Sequence, residues 1–238
     1  MQETVSALRD MVAKSNNIVF FGGAGVCTES GIPDFRSTDG LYSQKYDYPP
    51  ETMLSHTFLM RYPEEFFRFY RDKLLYPDAQ PNRCHTRLAE LEGAGKLRAV
   101  ITQNIDGLHQ AAGSREVLEL HGSVHRNYCM KCGARYDLDY VLHTSGIPRC
   151  ACGGTVRPEV VLYEESLNTE LLQKSIAYIR NAEVLIVGGT SLSVYPAAGL
   201  LDYYRGNQLV LINKSATSYD SVANLVIADS IGKVFAQI

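Results

Sequence analysis

The feature that most restricts the fold is a repeated pattern of short apolar runs, each followed by glycine or polar residues. Four such stretches are NNIVFFGGAG, LRAVITQNID, EVLIVGGTS and NQLVLINKS. Segments with helical spacing of apolar residues lie between them, and strands that alternate with helices form a parallel sheet covered on both faces. The sequence therefore predicts an α/β fold with a doubly wound parallel sheet.

The ends of these runs indicate where a ligand binds. Ligands of doubly wound sheets bind beyond the carboxyl ends of the strands. The residues expected there are small or polar, at 23–25, 103–106, 189–191 and Asn213. Because the carboxyl ends of parallel strands meet at one edge of the sheet, we expect these residues to converge on one binding site.

The loop GGAG at 22–25 favours a phosphate ligand, because its backbone can approach one closely at a helix N-terminus. The dinucleotide fingerprint would place a third glycine at position 28, where the chain has Thr28, and the P-loop sequence Gly-Lys-Ser/Thr is missing. A plain tight turn is therefore an alternative. Together with the Gly-Thr-Ser loop at 189–191, the pattern favours a dinucleotide.

Four of the six cysteines form two close pairs with the spacing C-x2-C-x17-C-x-C. These are Cys129, Cys132, Cys150 and Cys152. Two pairs of thiolates on tight turns can hold one tetrahedral Zn²⁺, although the second pair is closer than the usual spacing; fortuitous free thiols are the alternative. Four thiolates leave no open position for a substrate, so the predicted zinc is structural. Cys27 and Cys84 are interpreted as small buried apolar residues.

Composition excludes several classes of protein. The 23 basic and 26 acidic residues give a net charge of −3, which argues against a nonspecific nucleic-acid partner. No stretch approaches the ~18–20 apolar residues of a membrane span, and the N-terminal segment resembles an amphipathic helix rather than a signal peptide. We therefore expect a cytoplasmic protein without a membrane or direct nucleic-acid partner, in which the cysteines form no disulfide framework.

Four stretches together resemble the sirtuins, the NAD-dependent protein deacylases, in their bacterial type. They are GAGVCTESGIPDFR, TQNIDGLH, LHGS followed by the paired cysteines, and GTSLSVYPAA. The resemblance implies a Rossmann-type NAD-binding domain at 1–35, 84–126 and 156–238. It further implies a smaller domain with a flexible loop and helical insertion at 36–83 and the zinc module at 127–155.

The resemblance also implies roles for individual residues. His121 is the general base and contacts the cofactor, and Asn104 orders the site. The remaining cofactor residues are Ala24 and Thr28 at the phosphates, Phe35 and Arg36 at the nicotinamide ribose, Gln103, Ile105 and Asp106 at the ribose and carboxamide, Thr190, Ser191 and Asn213 at the adenosine, and Asp229 or Ile231 near the adenine.

The implied reaction consumes NAD. The acyl oxygen of an acyl-lysine attacks C1′ of the nicotinamide ribose and expels nicotinamide, and His121 then accepts a proton from the ribose hydroxyls. The products are lysine and acyl-ADP-ribose. The alternatives are a mono-ADP-ribosyltransferase, a deacylase for other short neutral acyl groups and a zinc-stabilised binding module. From the residues alone, His121 could equally be a structural histidine at a strand end.

The expected partners are proteins or peptides with acetyl-lysine. The stretch RPEVVLYEESL could pair with an extended peptide, with Leu162 walling an apolar tunnel. Glu164 stands where the family often has glycine, and it could favour basic flanking residues. Tyr70 and Lys73 have the spacing of the Tyr-x-x-Arg pair that selects acidic acyl groups, but lysine lacks the bidentate geometry of arginine, so neutral acyl groups are favoured.

Overall fold

The computed structural model describes residues 2–35 and 48–238. Its strands are β1 Ile18–Gly22, β2 Leu97–Thr102, β3 Val117–Glu119, β4 Gly122–Cys129, β5 Arg135–Tyr136, β6 Val156–Val160, β7 Val184–Gly188, β8 Gln208–Ile212 and β9 Leu225–Ile227. Its α-helices are α1 Gln2–Lys14, α2 Pro50–Met53, α3 His56–Arg61, α4 Pro63–Lys73, α5 Arg83–Gly93, α6 Leu108–Ala111, α7 Leu138–His143, α8 Thr169–Asn181 and α9 Ile231–Phe235. Three-ten segments include Ala24–Val26, Thr28–Ser30 and Ala198–Tyr203.

The main sheet is parallel and has the strand order β3-β2-β1-β7-β8-β9. The four apolar runs form β1, β2, β7 and β8, which confirms the predicted α/β fold. Successive residues of a strand point to opposite faces. In β1, Ile18 and Phe20 pack with α1, α5 and α9, whereas Val19 and Phe21 pack with α8. Burial on both faces explains why these strands are continuously apolar.

A second, antiparallel sheet has the order β5-β4-β6. It packs on the segment 50–75 around a separate hydrophobic cluster, which we call the second hydrophobic cluster. This cluster includes Phe66, Tyr70, Cys129 and Val156. The helical insertion and the cysteine-rich segment therefore share one core. We propose the domain division given above on this basis, although the boundary expected after residue 126 falls inside β4.

No helix among the described residues is long and apolar enough to cross a membrane.

Candidate active site

The carboxyl ends of the central strands open on a cavity of about 1260 Å³ between the parallel sheet and the second hydrophobic cluster. The cavity brings together the predicted cofactor and catalytic residues of the described part of the chain. They are Ala24, Thr28, Phe35, Gln103, Asn104, Ile105, Asp106, His121, Thr190, Ser191, Asn213 and Ile231. Asp229, the alternative to Ile231, also lines it. Arg36 lies outside the described residues.

Two glycine loops form the floor of this cavity and touch through their backbones. The N–H of Gly25 donates to the carbonyl of Gly189 at 2.7 Å. A Cβ on Gly25 would lie 2.8 Å from the Cα of Gly189, and a Cβ on Gly189 would lie 2.4 Å from the nitrogen of Val26. Gly189 also has a φ of +61°, which favours glycine. Only glycines allow this close approach of two loops that both line the cavity.

The loops after β2, β7 and β8 are joined by side-chain hydrogen bonds. Gln103 Nε2 donates to Thr190 Oγ1 at 3.1 Å, and the Thr190 N–H donates to Asn213 Oδ1 at 2.9 Å. The second bond fixes the orientation of the Asn213 amide, because only its oxygen accepts. Asn213 Nδ2 is then a buried donor without a partner among the described residues. A ligand that accepts a hydrogen bond there would satisfy it.

Ile231 differs from the other cavity residues because its side chain is part of the core. It is 3% exposed, and its Cδ1 lies 2.2 Å from the position that a Cβ on Gly188 would occupy. The adjacent Gly232 N–H donates to the Glu29 carboxylate at 2.6 Å, which ties α9 to the segment after the first glycine loop. The Ile231 side chain therefore shapes the cavity from the core side.

Asn104 and Asp106 are held in place by the buried thiol of Cys27. Asn104 Nδ2 donates to the Gly23 carbonyl at 3.1 Å and to Cys27 Sγ at 3.0 Å. The Cys27 thiol donates to Asp106 Oδ2 at 2.8 Å, while Asp106 Oδ1 accepts from the Leu108 N–H at 2.9 Å. Cys27 is therefore a polar link between the first glycine loop and the loop after β2, rather than only a small apolar residue.

His85 completes the surroundings of this thiol. Its Nδ1 accepts from the backbone N–H of Asn82 at 3.1 Å, so in the neutral ring Nε2 carries the proton. Nε2 lies 3.6 Å from Cys27 Sγ. Burial lowers the pKa of His85 to about 4, against which the charge of Asp106 acts more weakly, and the ring is neutral near pH 7. The thiol therefore receives two donors and donates to one carboxylate.

His121 follows β3 and lines the cavity, and one of its ring nitrogens can accept a proton there. Its Nδ1 lies 2.9 Å from the Gln103 carbonyl, and a carbonyl only accepts, so Nδ1 carries the proton. Nε2 of the neutral ring is then an unprotonated acceptor. Burial lowers the pKa of His121, and the hydrogen bond to Gln103 opposes this effect. His121 is therefore a neutral base in a cavity that holds polar groups from four strand ends.

The four predicted zinc ligands form a separate site. Their sulfur atoms all lie within 4.8 Å of one another, with Cys129 and Cys152 3.5 Å apart and Cys132 and Cys150 3.6 Å apart. Zn–S bonds of about 2.3 Å in a tetrahedron place sulfurs roughly 3.8 Å apart, so the cluster can hold zinc. No histidine belongs to the cluster in the described ranges, and its cysteines do not line the cavity. His121 is thus not part of the metal site.

Tyr70 and Lys73 do not form a pair in the cavity. Tyr70 is fully buried in the second hydrophobic cluster, where its ring lies parallel to Phe66 with 5.8 Å between centroids. Burial raises the pKa of its hydroxyl. Lys73 lines the cavity and forms an ion pair with Asp72. The helical spacing of these two residues therefore reflects packing at Tyr70 rather than an acyl-selecting pair.

Residues 23–196 match the model of a known family, described as the Sir2 family. This match covers most of the chain and begins at the first glycine loop of the cavity. The chain belongs to the Sir2 family. A curated relative of this Sir2-family chain, the NAD-dependent protein deacetylase of Clostridium acetobutylicum, is 60% identical over 98% of this chain and 96% of the relative.

Solved Sir2 structures share the architecture of this family member. A Sir2 variant with a deacetylated p53 peptide and 3′-O-acetyl ADP-ribose is 37% identical, with a TM-score of 0.90 and coverage of 98% of this chain and 96% of that one. A Sir2 structure with a p53 peptide and NAD+ is 38% identical, with a TM-score of 0.86 and coverage of 98% and 96%.

Three polar residues of this Sir2 site are not evident from the sequence pattern. Cys27 and His85 are buried residues whose contact depends on the fold and not on their spacing in the sequence. No motif predicts the contact of His125, whose Nε2 lies 2.9 Å from the Asp106 carbonyl. Cys27 does carry a usable signal, since it directly precedes Thr28 in the loop that follows β1. The sequence signal for His85 is Asn82, three positions earlier at the start of α5, because the two residues form a capping box.

Proposed function

We propose that this chain is an NAD-dependent protein-lysine deacetylase that transfers an acetyl group from lysine to ADP-ribose and releases nicotinamide. The observation that carries the proposal is the placement of His121, with Nε2 unprotonated, in the same cavity as the glycine loops and apart from the zinc cluster. The relative named as an NAD-dependent protein deacetylase and the Sir2 structures with p53 peptides support it.

The residues of the cavity fit NAD in three ways. The touching glycine loops line the cavity together with Ala24 and Thr28, which suits the phosphates. Asn213 Nδ2, which has no partner among the described residues, suits the adenosine half. Asp106, fixed by Cys27 and Leu108, retains lone pairs for the carboxamide N–H of nicotinamide. Phe35, Gln103, Ile105, Thr190, Ser191 and Ile231 complete the proposed binding set, with Arg36 from the undescribed segment.

Bound NAD supplies an electrophilic ribose carbon that the acetyl oxygen of the substrate can attack. The protein orients both partners and then moves a proton. Asn104 and Asp106 hold the nicotinamide end, and His121 Nε2 accepts the proton of a ribose hydroxyl. The structural zinc takes no part in these steps, because four thiolates close its coordination shell.

The proposed partners are proteins or peptides with acetyl-lysine in an exposed segment. Leu162 is 4% exposed and forms an apolar part of the cavity wall, which suits the methylene stem of the lysine. A short neutral acyl group fits this cavity, because Tyr70 does not line it and Lys73, which does, lacks the bidentate geometry of arginine. We further propose a cytoplasmic location without direct nucleic-acid binding, which the unpaired state of the cysteines and the slightly acidic charge support.

Incubation with an acetyl-lysine peptide and NAD tests this function. Deacetylation predicts that the peptide loses the mass of one acetyl group and that an equal amount of nicotinamide is released. A gain in peptide mass would instead identify mono-ADP-ribosyl transfer, and peptide binding without any NAD consumption would identify a binding module.

The pH dependence of kcat/KM should report the pKa of His121. Because burial lowers the pKa of His121, the neutral base persists below the usual histidine value of about 6.5. As the pH falls through this lowered pKa, Nε2 takes up a proton and the rate falls. We therefore expect the acid limb of the kcat/KM profile below pH ~6.5. An acid limb clearly above that value would contradict the assignment.

Substitution of Cys27 should separate a polar role from simple packing. Cys27→Ala removes one hydrogen-bond partner from each of Asn104, His85 and Asp106, and we expect kcat/KM for NAD to fall roughly 10-fold. Cys27→Ser restores a donor and acceptor and should stay within about 3-fold of the unmodified protein. Steady-state rates at varied NAD measure this. Equal rates for the alanine and serine variants would show that the hydrogen bonds of the thiol do not matter.

A further inference from the structure

A smaller open pocket lies on the helical insertion next to the cavity. It has a volume of about 330 Å³. Its aromatic members are Tyr48, Phe58, Tyr62 and Tyr163, its charged members are Glu51, Arg61 and Glu164, and Thr52, Ser55 and Thr57 complete it. We call this set the aromatic pocket. Tyr163 and Glu164 also line the main cavity, so the two spaces are contiguous.

Backbone pairing places the aromatic pocket beside the segment expected to hold the substrate peptide. The Tyr163 N–H donates to the Leu54 carbonyl at 3.0 Å, and the Tyr163 carbonyl accepts from the His56 N–H at 3.0 Å. These bonds anchor residue 163 to the helical insertion, directly after Leu162 in the cavity wall. A peptide whose acetyl-lysine enters the cavity alongside Leu162 therefore passes the aromatic pocket with a neighbouring residue.

The carboxylate of Glu164 is fixed at the junction of the two spaces. Its backbone has a φ of +74°, a conformation that non-glycine residues rarely adopt. Glu164 Oε2 accepts from the Thr57 N–H at 2.9 Å and from Thr57 Oγ1 at 2.7 Å. These bonds lower the pKa of Glu164, chiefly through the Thr57 hydroxyl, so the side chain is ionised near pH 7. The result is an exposed, pre-positioned negative charge.

Aromatic rings line the same pocket as this charge and present exposed surface. Tyr48 is 46% exposed, Tyr62 48% and Tyr163 39%. The ring of Phe58 lies between the first two, with centroids 5.5 Å from Tyr48 and 5.3 Å from Tyr62. Aromatic faces next to a carboxylate attract a cation both through the ring quadrupoles and through the charge. Two carboxylates against one guanidinium, that of Arg61, leave the aromatic pocket net negative.

We propose that the aromatic pocket is a substrate subsite for the cationic side chain of an arginine or lysine that flanks the acetyl-lysine. The proposal rests on the proposed deacetylase function and adds a preference for basic sequences to it. The positive charge of Arg61 in the same pocket weakens the attraction for a cationic side chain. The subsite selects by charge and ring contact, which distinguishes it from backbone pairing of the peptide.

Matched acetyl-lysine peptides test the subsite. Each peptide carries either arginine or its neutral analogue citrulline at one flanking position, and kcat/KM is measured for every pair. We expect a preference of roughly 5-fold for arginine at one position, in line with an exposed cation–π contact beside a carboxylate. Glu164→Gln should bring the ratio close to one, Tyr62→Ala should reduce it, and Arg61→Gln should increase it. Glu170→Gln, which changes an exposed acid on α8 outside the pocket, should leave it unchanged.

The outcomes distinguish the subsite from the underlying activity. Deacetylation of both peptides at equal rates at all positions would overturn the subsite alone. The same holds for a preference for arginine that survives both Glu164→Gln and Tyr62→Ala, or for a preference for acidic neighbours. If no acetyl peptide is deacetylated, the proposed function fails and the subsite with it.

Discussion

Replacing His121 with alanine should lower the rate of deacetylation by a factor of roughly 10²–10⁴, the usual contribution of a general base. The reason is geometric, because the Gln103 carbonyl holds the proton on Nδ1 and leaves Nε2 as the acceptor in the cavity. His125 also lines the cavity, but its ring contacts the Asp106 carbonyl through Nε2, so the nitrogen left as acceptor there would be Nδ1. The rate is measured at saturating NAD from the fraction of an acetyl peptide that has lost the mass of one acetyl group over time.

The zinc content and thermal stability of the same variant show whether the loss is specific. His121 lies outside the cysteine cluster, so His121→Ala should retain the zinc. His143→Ala is a matched control, since His143 is exposed on α7 and does not line the cavity. It should leave the rate unchanged. A His121→Ala variant with nearly full activity, or one that loses its zinc, would contradict the assigned role.

Loss of Cys129, a proposed zinc ligand, should destabilise the protein by several kcal/mol, given the roughly 10–16 kcal/mol of apparent zinc affinity in small zinc peptides. Cys129 is 1% exposed and packs in the second hydrophobic cluster with Phe66 and Tyr70. Because Leu162 belongs to the same cluster and also lines the cavity, Cys129→Ala should lower activity although zinc takes no part in the reaction. Thermal unfolding and bound zinc are measured together.

Cys84→Ala is the control for this experiment. Cys84 is fully buried where α5 packs on Ile18 and Phe20 of the parallel sheet, outside the cysteine cluster. Its truncation should therefore cost roughly 1 kcal/mol and leave the zinc bound. If Cys129→Ala binds zinc as tightly as the unmodified protein, or unfolds at the same temperature as Cys84→Ala, the four-cysteine site is wrong.

The sheet and the convergence of its strand ends could be predicted because they follow from local pattern. Buried strands such as β1 and β7 are apolar on both faces, and glycines or polar residues mark where they stop. Because ligands bind at the carboxyl ends of such strands, the strand pattern alone is enough to group Gln103, Thr190 and Asn213 in one site. The spacing of the cysteines predicts their cluster in the same way.

Contacts between distant segments could not be predicted in this manner. The residue type of Cys27 suggests an apolar role, and only its approach to Asn104 and Asp106 reveals a polar one. Tyr70 has a spacing that fits either a cavity or a core, and the stacking on Phe66 decides for the core. The aromatic pocket likewise depends on bonds between Glu164 and Thr57, which are 107 positions apart in the chain.

The path of a single oxygen atom tests the central claim most directly. A peptide whose acetyl carbonyl carries oxygen-18 is deacetylated with NAD. The acetyl ester of the product is then hydrolysed, and the masses of ADP-ribose and acetate are measured by mass spectrometry. If the acetyl oxygen attacks the ribose carbon, the label appears in ADP-ribose. If the label is found in acetate instead, the amide is hydrolysed by water, and neither the attack of the acetyl oxygen on NAD nor the role given to His121 can stand.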